Sequence, residues 1–370
     1  MARATPRKPV KAKAKPKARA RPTARKAPRA PKEPMTAFRP LGVLPAEPPA
    51  PPRKATEAEL LEAARPALAA ALARAWHKAT PLVLEPIEGI EVQAALWAKD
   101  RPHWHLVTQG LAKKGLELSL RVARRADELA PPAWAHGLLA TLTRRALSGE
   151  QRLDNNQSIA MGGPLAPNAL GEDGDTELTA VALAVDPVLG VITTAVGTLP
   201  VLQLVGITSD EERLSREWSP RGLLEVLSKV DPLLVTDLER TSLLLSPRAR
   251  LLIEQRVERE GSSMGVLRAK FSELKKAGTG VTWRIDPESA DTIVSLLKGR
   301  IGHLRGFSVQ GDQGARADVV PADAPQAELT REALTLKLSQ SAARAMRATL
   351  KGKSGKYTWD VIPGLTVEVV

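Results

Sequence analysis

Residues Asp186 to Arg240 read DPVLGVITTAVGTLPVLQLVGITSDEERLSREWSPRGLLEVLSKVDPLLVTDLER. The apolar runs Val191 to Val196 and Leu199 to Ile207 are short and rich in β-branched residues, the signature of adjacent strands of one sheet. Thr208 or Ser209 then caps a helix whose first turn holds Asp210, Glu211 and Glu212, acids that favour the positive end of the helix dipole. The helical segment ends in EVLSKV, and Leu233 to Leu238 reads as a further strand. Strand, strand, helix and strand in this order set an α+β class.

Upstream, Leu178 to Val185 reads as a strand. Residues 149–175, GEQRLDNNQSIAMGGPLAPNALGEDGD, are rich in Gly, Asn and Asp and read as loop with one short strand at the centre. Pro132 to Leu147 has helical spacing. Leu116, Leu118, Leu120 and Val122 alternate with polar residues, as a half-buried strand requires. Thr56 and Glu59 have capping-box spacing before a helix carrying Leu60, Leu61, Leu68, Leu72 and Trp76, which Pro66 should kink or split. Downstream, Ser246-Pro247 forms an N-cap and first-turn pair, and Pro247 to Arg259 reads as a helix. Gly and Lys accumulate between Gly261 and Gly280, which places a domain break there. A second set follows: strand Val281 to Ile285, helix Asp286 to Lys298, strands His303 to Gln310, Ala315 to Val320 and Leu334 to Leu338, helix Ser339 to Leu350 and two final strands. The expected architecture is two mixed-sheet α+β domains with flanking helices, residues 56–265 and 280–370, behind a tail of residues 1–55.

That tail carries the charge. The chain of 370 residues has a net charge of +13, and residues 1–54 hold sixteen basic residues against Glu33 and Glu47. The remainder is close to neutral. Residues 1–34 have almost no large apolar side chain and a Pro every few positions, so they cannot bury enough surface to offset their ordering entropy and should be disordered. Residues 35–55 are Pro-rich and read as a stiff linker. Lys and Arg interleaved with Ala and Pro suit polyanion binding by counterion release, with Arg7, Lys8, Lys17, Arg19, Arg21, Arg25, Lys26 and Arg29 as the nucleic-acid contacts. The alternative is a solvated extension, with Met35 a second possible start. The absence of Cys excludes disulfides and thiolate chemistry and suits a reducing cytoplasm. No apolar run of about 18 residues could span a bilayer, and no apolar segment follows the basic stretch as in a secretory signal. The expected location is the cytoplasm, with nucleoid association if the tail engages DNA.

Several stretches together resemble one family. Arg101 to Val122 (RPHWHLVTQGLAKKGLELSLRV), Pro131-Pro132-Ala133-Trp134, Asp186 to Arg240, Leu297 to Gln310 (LKGRIGHLRGFSVQ) and Leu334 to Val370 occur in the order found in suppressor of fused proteins. The resemblance covers roughly residues 80 to 370. It implies a non-catalytic protein-binding role. Animal members clamp a short peptide of hedgehog-pathway zinc-finger transcription factors as an added strand between two domains. Many bacterial relatives sit beside toxin genes and are regarded as immunity proteins, and the Ala, Arg, Pro and Leu excess of this chain fits a GC-rich bacterial origin. The resemblance therefore implies a protein partner, with a toxin as the alternative. Leu142 to Leu165 aligns without a gap to the segment that supplies an aromatic residue and an aspartate to the animal peptide site, and the matching positions are Arg145 and Gln157. A cation and a neutral amide replace them, so the animal-type peptide should not bind. Val201 and Gln203 on one strand and Phe307 on another are expected to line or flank the cleft.

The residues with catalytic potential support little else. His103 and His105 lie on one strand face about 7 Å apart, half of a zinc site at most, and His77, His136 and His303 lack ligand spacing. No metal and no cofactor is expected, and the bland reading puts Trp104 in a core with the histidines bonding locally. Asp237 ends an apolar run but is one carboxylate without a partner acid, and Glu239 and Arg240 could form a surface ion pair. Gly162-Gly163-Pro164 and Gly171 to Gly174 lack the Lys and Ser/Thr of a phosphate loop and read as turns. Trp283, Tyr357 and Trp359 read as core or interface residues. No enzyme activity and no small-molecule substrate is expected.

Overall fold

The computed structural model describes residues 55–370, apart from 78, 99–100, 150–151, 171–173, 279, 313 and 332. The eight nucleic-acid contacts expected between Arg7 and Arg29 lie outside the described residues.

An eight-stranded mixed sheet organises the first two thirds of that range. Its strands are β1 (Leu82–Ile87), β2 (Ile90–Trp97), β3 (His103–Gln109), β4 (Glu117–Ala123), β5 (Ser158–Ala160), β6 (Leu178–Val185), β7 (Val191–Thr194) and β8 (Gly197–Thr208). They run in the order β1-β2-β3-β4-β8-β6-β5, with β7 pairing β8 as a hairpin. β4 and β8 are parallel, with Leu118 opposite Leu202 and Leu120 opposite Leu204. Alternation along the strands separates two cores. Trp104, Leu106, Leu118, Leu120, Val122, Leu202 and Leu204 face α2 (Ala133–Ser148). On the opposite face, Val107, Val201 and Ile192 pack on α1 (Glu57–Ala75), while Ala180, Ala182, Val205 and Ile207 pack on α4 (Pro220–Val230) and α5 (Pro247–Glu260).

The last third has its own apolar cluster, built on Trp283, Ile293, Val309, Leu336 and Met346. A five-stranded sheet runs β14 (Gln326–Leu329), β15 (Ala333–Leu338), β13 (Arg316–Pro321), β12 (Phe307–Gly311), β9 (Val266–Ala269). A four-stranded one runs β10 (Ser272–Ala277), β11 (Gly280–Ile285), β17 (Leu365–Val369), β16 (Gly355–Thr358). Helices α6 (Pro287–Gly299) and α7 (Gln340–Thr349) pack together, with Ala290, Ile293, Leu296, Ala342, Ala343 and Met346 buried between them and the strands.

Several expectations are corrected. Pro66 does not split the first helix: α1 is continuous from the Thr56/Glu59 capping box onward. Pro66 and Glu62, whose carbonyl loses its helical donor, are both exposed, so the break in the ladder falls on the outer face of the helix. The helical segment after β8 is two helices, α3 (Ser209–Glu217) and α4, divided where Ser219 caps the second and Pro220 occupies its first position. Gly222 is required in α4, because a Cβ there would run into the Trp218 ring.

Leu233 to Leu238 is not a strand. Side chains take up its backbone groups: Asp231 accepts from the amides of Leu233 and Val235, and Gln203 Nε2 donates to the carbonyls of Leu233 and Leu234. Only a bridge from Thr236 to Val122 remains. The stretch from Gly261 to Gly280, where the domain break is expected, holds β9 and β10. His303 lies in a 3-10 turn (Ile301–His303) ahead of β12, and β14 had no counterpart in the sequence reading.

Candidate functional site

β4 shows how this sheet uses its polar residues. Its burial is complete on both faces up to Val122, against the half-exposure that alternation suggests. The face carrying Glu117, Ser119 and Arg121 is sealed by α1 and the β7–β8 hairpin. Arg121 and Asp186 are fully buried side chains, and Arg121 Nη1 donates to Asp186 Oδ2 at 2.5 Å while Nη2 donates to Oδ1 at 3.2 Å. Ser119 Oγ donates to the same carboxylate at 2.7 Å, and the amides of Val188 and Leu189 donate to Asp186 Oδ1 at 2.8 Å each. Arg121 Nη1 also reaches Gln203 Oε1 at 2.6 Å.

His105 completes the network. Trp76 Nε1–H donates to its Nδ1 at 3.0 Å, so the other nitrogen carries the proton and donates to Asp186 Oδ2 at 3.2 Å. Burial, and then the Arg121 charge, push the imidazole down to about 4, so it is neutral. Burial alone would raise the Asp186 carboxyl, but the His105 and Arg121 interactions outweigh it and hold the group well below the usual carboxylate range. His103, also depressed to about 4 chiefly by burial, bonds the Arg101 carbonyl through Nδ1. At the far end of β4, burial pushes Glu117 up to about 7, against bonds from Thr108 Oγ1 and the amides of Gly110 and Ala112.

The network ties α1, β3, β4, β8 and the β6–β7 turn together. Its partners are one another and backbone groups, and Arg121 Nε is left without a hydrogen bond among the described residues. Among the described residues no group of three or more His, Cys, Asp or Glu side chains is arranged to hold a metal ion. Asp237 pairs with Arg101, which also reaches Asp231. Arg240 bonds Glu211 in a two-pronged pair at 2.7 Å, not Glu239.

An open groove lies elsewhere in the molecule. A groove of about 460 Å³ lies between the start of β5, the α3–α4 junction and the residues leading into β9. Asp154, Gln157, Ser158, Arg216, Ser263 and Met264 are among its lining. Ser158 Oγ accepts from Ser215 Oγ at 2.7 Å, which fixes β5 against α3. β5 pairs only with β6, and Leu183 N donates to Gln157 O while Met161 N donates to Thr179 O. Alternation of the antiparallel ladder therefore turns the peptide groups of Ser158 and Ala160 away from β6, onto a free edge. β9 ends the five-stranded sheet and pairs only with β12. Ser308 N donates to Gly265 O, so Val266 and Arg268 carry that strand's outward peptide groups. Val266 is 49% exposed.

The expected site residues divide. Gln157 is at the groove: its Oε1 accepts from Asp154 N at 3.1 Å, and its amide nitrogen has no partner among the described residues. Arg145 is half-buried near the end of α2 and outside the lining. Val201, Gln203 and Phe307 are buried in strands that have neighbours on both sides, and do not face the groove. An apolar strand within such a sheet goes to the core, whereas an edge is marked by shortness, as with the three residues of β5 between turns. Arg216, Ser263 and Met264 had no sequence signal. The Asn155-Asn156 pair did, since Asn156 adopts φ 61° in the turn that launches β5.

Residues 84–241 match the family model described as Suppressor of fused protein. The human and mouse proteins named Suppressor of fused homolog are each 27% identical over 181 residues, which is 47% of this chain and 36% of theirs. The match thus spans about a third of those relatives' length. The crystal structure of Drosophila Suppressor of Fused superposes with a TM-score of 0.67 at 18% identity, covering 83% of this chain and 96% of that one. A structure titled as the Sufu–Fu complex gives a TM-score of 0.43 at 23% identity, over 52% of this chain and 96% of that one.

Proposed function

Because the chain belongs to the suppressor of fused family, we propose that it is a non-catalytic, protein-binding regulator that holds an extended partner peptide as an added strand in the groove between β5 and β9. One observation carries this reading: Ser158, which begins the edge strand β5, and Ser263 and Met264, which lead into the edge strand β9, line one groove. Unpaired strand edges recruit an extended chain through backbone hydrogen bonds, and side chains beside the edge select it. Gln157 supplies such a selector. Its Oε1 is engaged, which leaves an N–H donor for the ligand, so the ligand group opposite is an acceptor. This reverses the polarity of the animal site, where the resemblance places an aspartate. Arg145, outside the lining, is a cation where the resemblance places an aromatic residue.

The test is capture of a partner from native lysate by the full chain. Ala160→Pro removes one outward amide and spares the β6 ladder, and it should abolish capture. Gln157→Ala should weaken it, and Arg145→Ala more modestly. Retention of the same partner by all three variants contradicts the proposal.

A further inference from the structure

A second concavity shares no lining residue with the groove. It lies between the end of α6, the 3-10 turn Ile301–His303 and one face of α7, with a volume of about 280 Å³. Lys298, His303, Arg344 and Arg347 line it, against the one carboxylate of Glu258, and buried Leu297 and Ala343 are also part of the lining. Gln340, Ala343, Arg344 and Arg347 fall at i, i+3, i+4 and i+7, so α7 presents one stripe to the depression. Lys298 pairs with Glu258 at 3.2 Å. Arg344 and Arg347 have no ion-pair or hydrogen-bond partner among the described residues.

The surroundings do not neutralise these charges. Arg300, just before the turn, bonds the carbonyls of Ser262 and Gly306, and Arg305, just after it, bonds the Glu260 carbonyl. Burial, and then the nearby Arg305 charge, push the Arg300 guanidinium down. The region is a positive field focused in a hollow, and two unspent guanidiniums offer forked donors.

We propose that this depression binds a phosphate monoester carried on a side chain of a partner protein. A phosphoryl group brings close to two negative charges and three acceptor oxygens, which suit two guanidiniums and an ammonium converging from different elements. The apolar Leu297 and Ala343 provide contact for the carbon stem bearing it. Nucleic acid is disfavoured by shape: its phosphates succeed one another along a strand and call for cations set out in a stripe, whereas these gather in one pit.

The test uses the full chain and its Arg344→Gln/Arg347→Gln variant, so that the basic tail contributes equally to both. Inorganic phosphate, exchanged for chloride at constant ionic strength, should raise the melting temperature of the parent and leave the variant's unchanged. A labelled peptide bearing one phosphoserine should bind the parent at least about tenfold more tightly than its serine counterpart, and the variant should lose that preference. An equal phosphate response in both proteins overturns the assignment, as does the absence of any preference between the peptides. A duplex oligonucleotide whose binding falls in the variant, while phosphopeptide binding does not, overturns it in favour of nucleic acid.

Discussion

The interior behind β4 and the groove beside β5 handle polar groups in opposite ways. Behind β4, Arg121, Asp186, His105, Ser119 and Gln203 are sealed from solvent and spent on one another. Beside β5, the available groups are peptide N–H and C=O on a strand edge, with Gln157 and Arg216 nearby. The Arg121–Asp186–His105 cluster is thus closed to solvent. The accessible region offers backbone.

The largest effect should come from breaking the sealed side. Asp186→Ala leaves Arg121 buried and unpaired, and should cost about 3 to 5 kcal/mol of stability by chemical denaturation. Gly222→Ala drives a methyl into the Trp218 ring and should cost about 1 to 3 kcal/mol, read in the same assay.

Acidification sharpens the contrast. His105 ordinarily titrates at 6.5 and in the fold at about 4, so the unfolded chain takes up a proton that the native one refuses. Stability is lost as pH falls from 6.5 to 4, by about 3 kcal/mol, and His103 acts in the same direction. Glu117 opposes them: raised from 4.5 to about 7, it holds a proton in the fold, so stability is gained as pH falls from 7 to 4.5. Denaturation at pH 7 and pH 4.5 should show a net loss on acidification, and Glu117→Gln should make that loss steeper. The smallest effect on stability belongs to the groove. Ala160→Pro, exposed and on the free edge, should change unfolding by less than about 1 kcal/mol while removing partner binding.

Local chemistry was legible in the sequence. The capping box at Thr56, the spans of β6 and α2, the Ser246-Pro247 helix start and the short central strand of the Asn-rich loop all rest on signals within a few residues. The misreadings concern what distant residues do. Alternation in β4 marks two faces but not which is wet, and the Asp186 that dries its polar face is 65 residues from Arg121. Leu233 to Leu238 has strand composition, yet Gln203, some thirty residues away, takes its carbonyls. The same distance hid the groove: Gln157 could be singled out, but Ser263 and Met264 meet it only through the packing of α3 and α4.

The central claim is that a partner chain joins the free edge of β5. Linear peptides selected from a display library on the full chain test it most directly, through amide hydrogen exchange with and without the best binder. The account predicts that the amides of Ser158 and Ala160 gain protection in the complex, that Ile159 and Met161 are protected in both states, and that Ala160→Pro does not bind. Peptides that bind Ala160→Pro equally well and leave the Ser158 and Ala160 amides unprotected would contradict it.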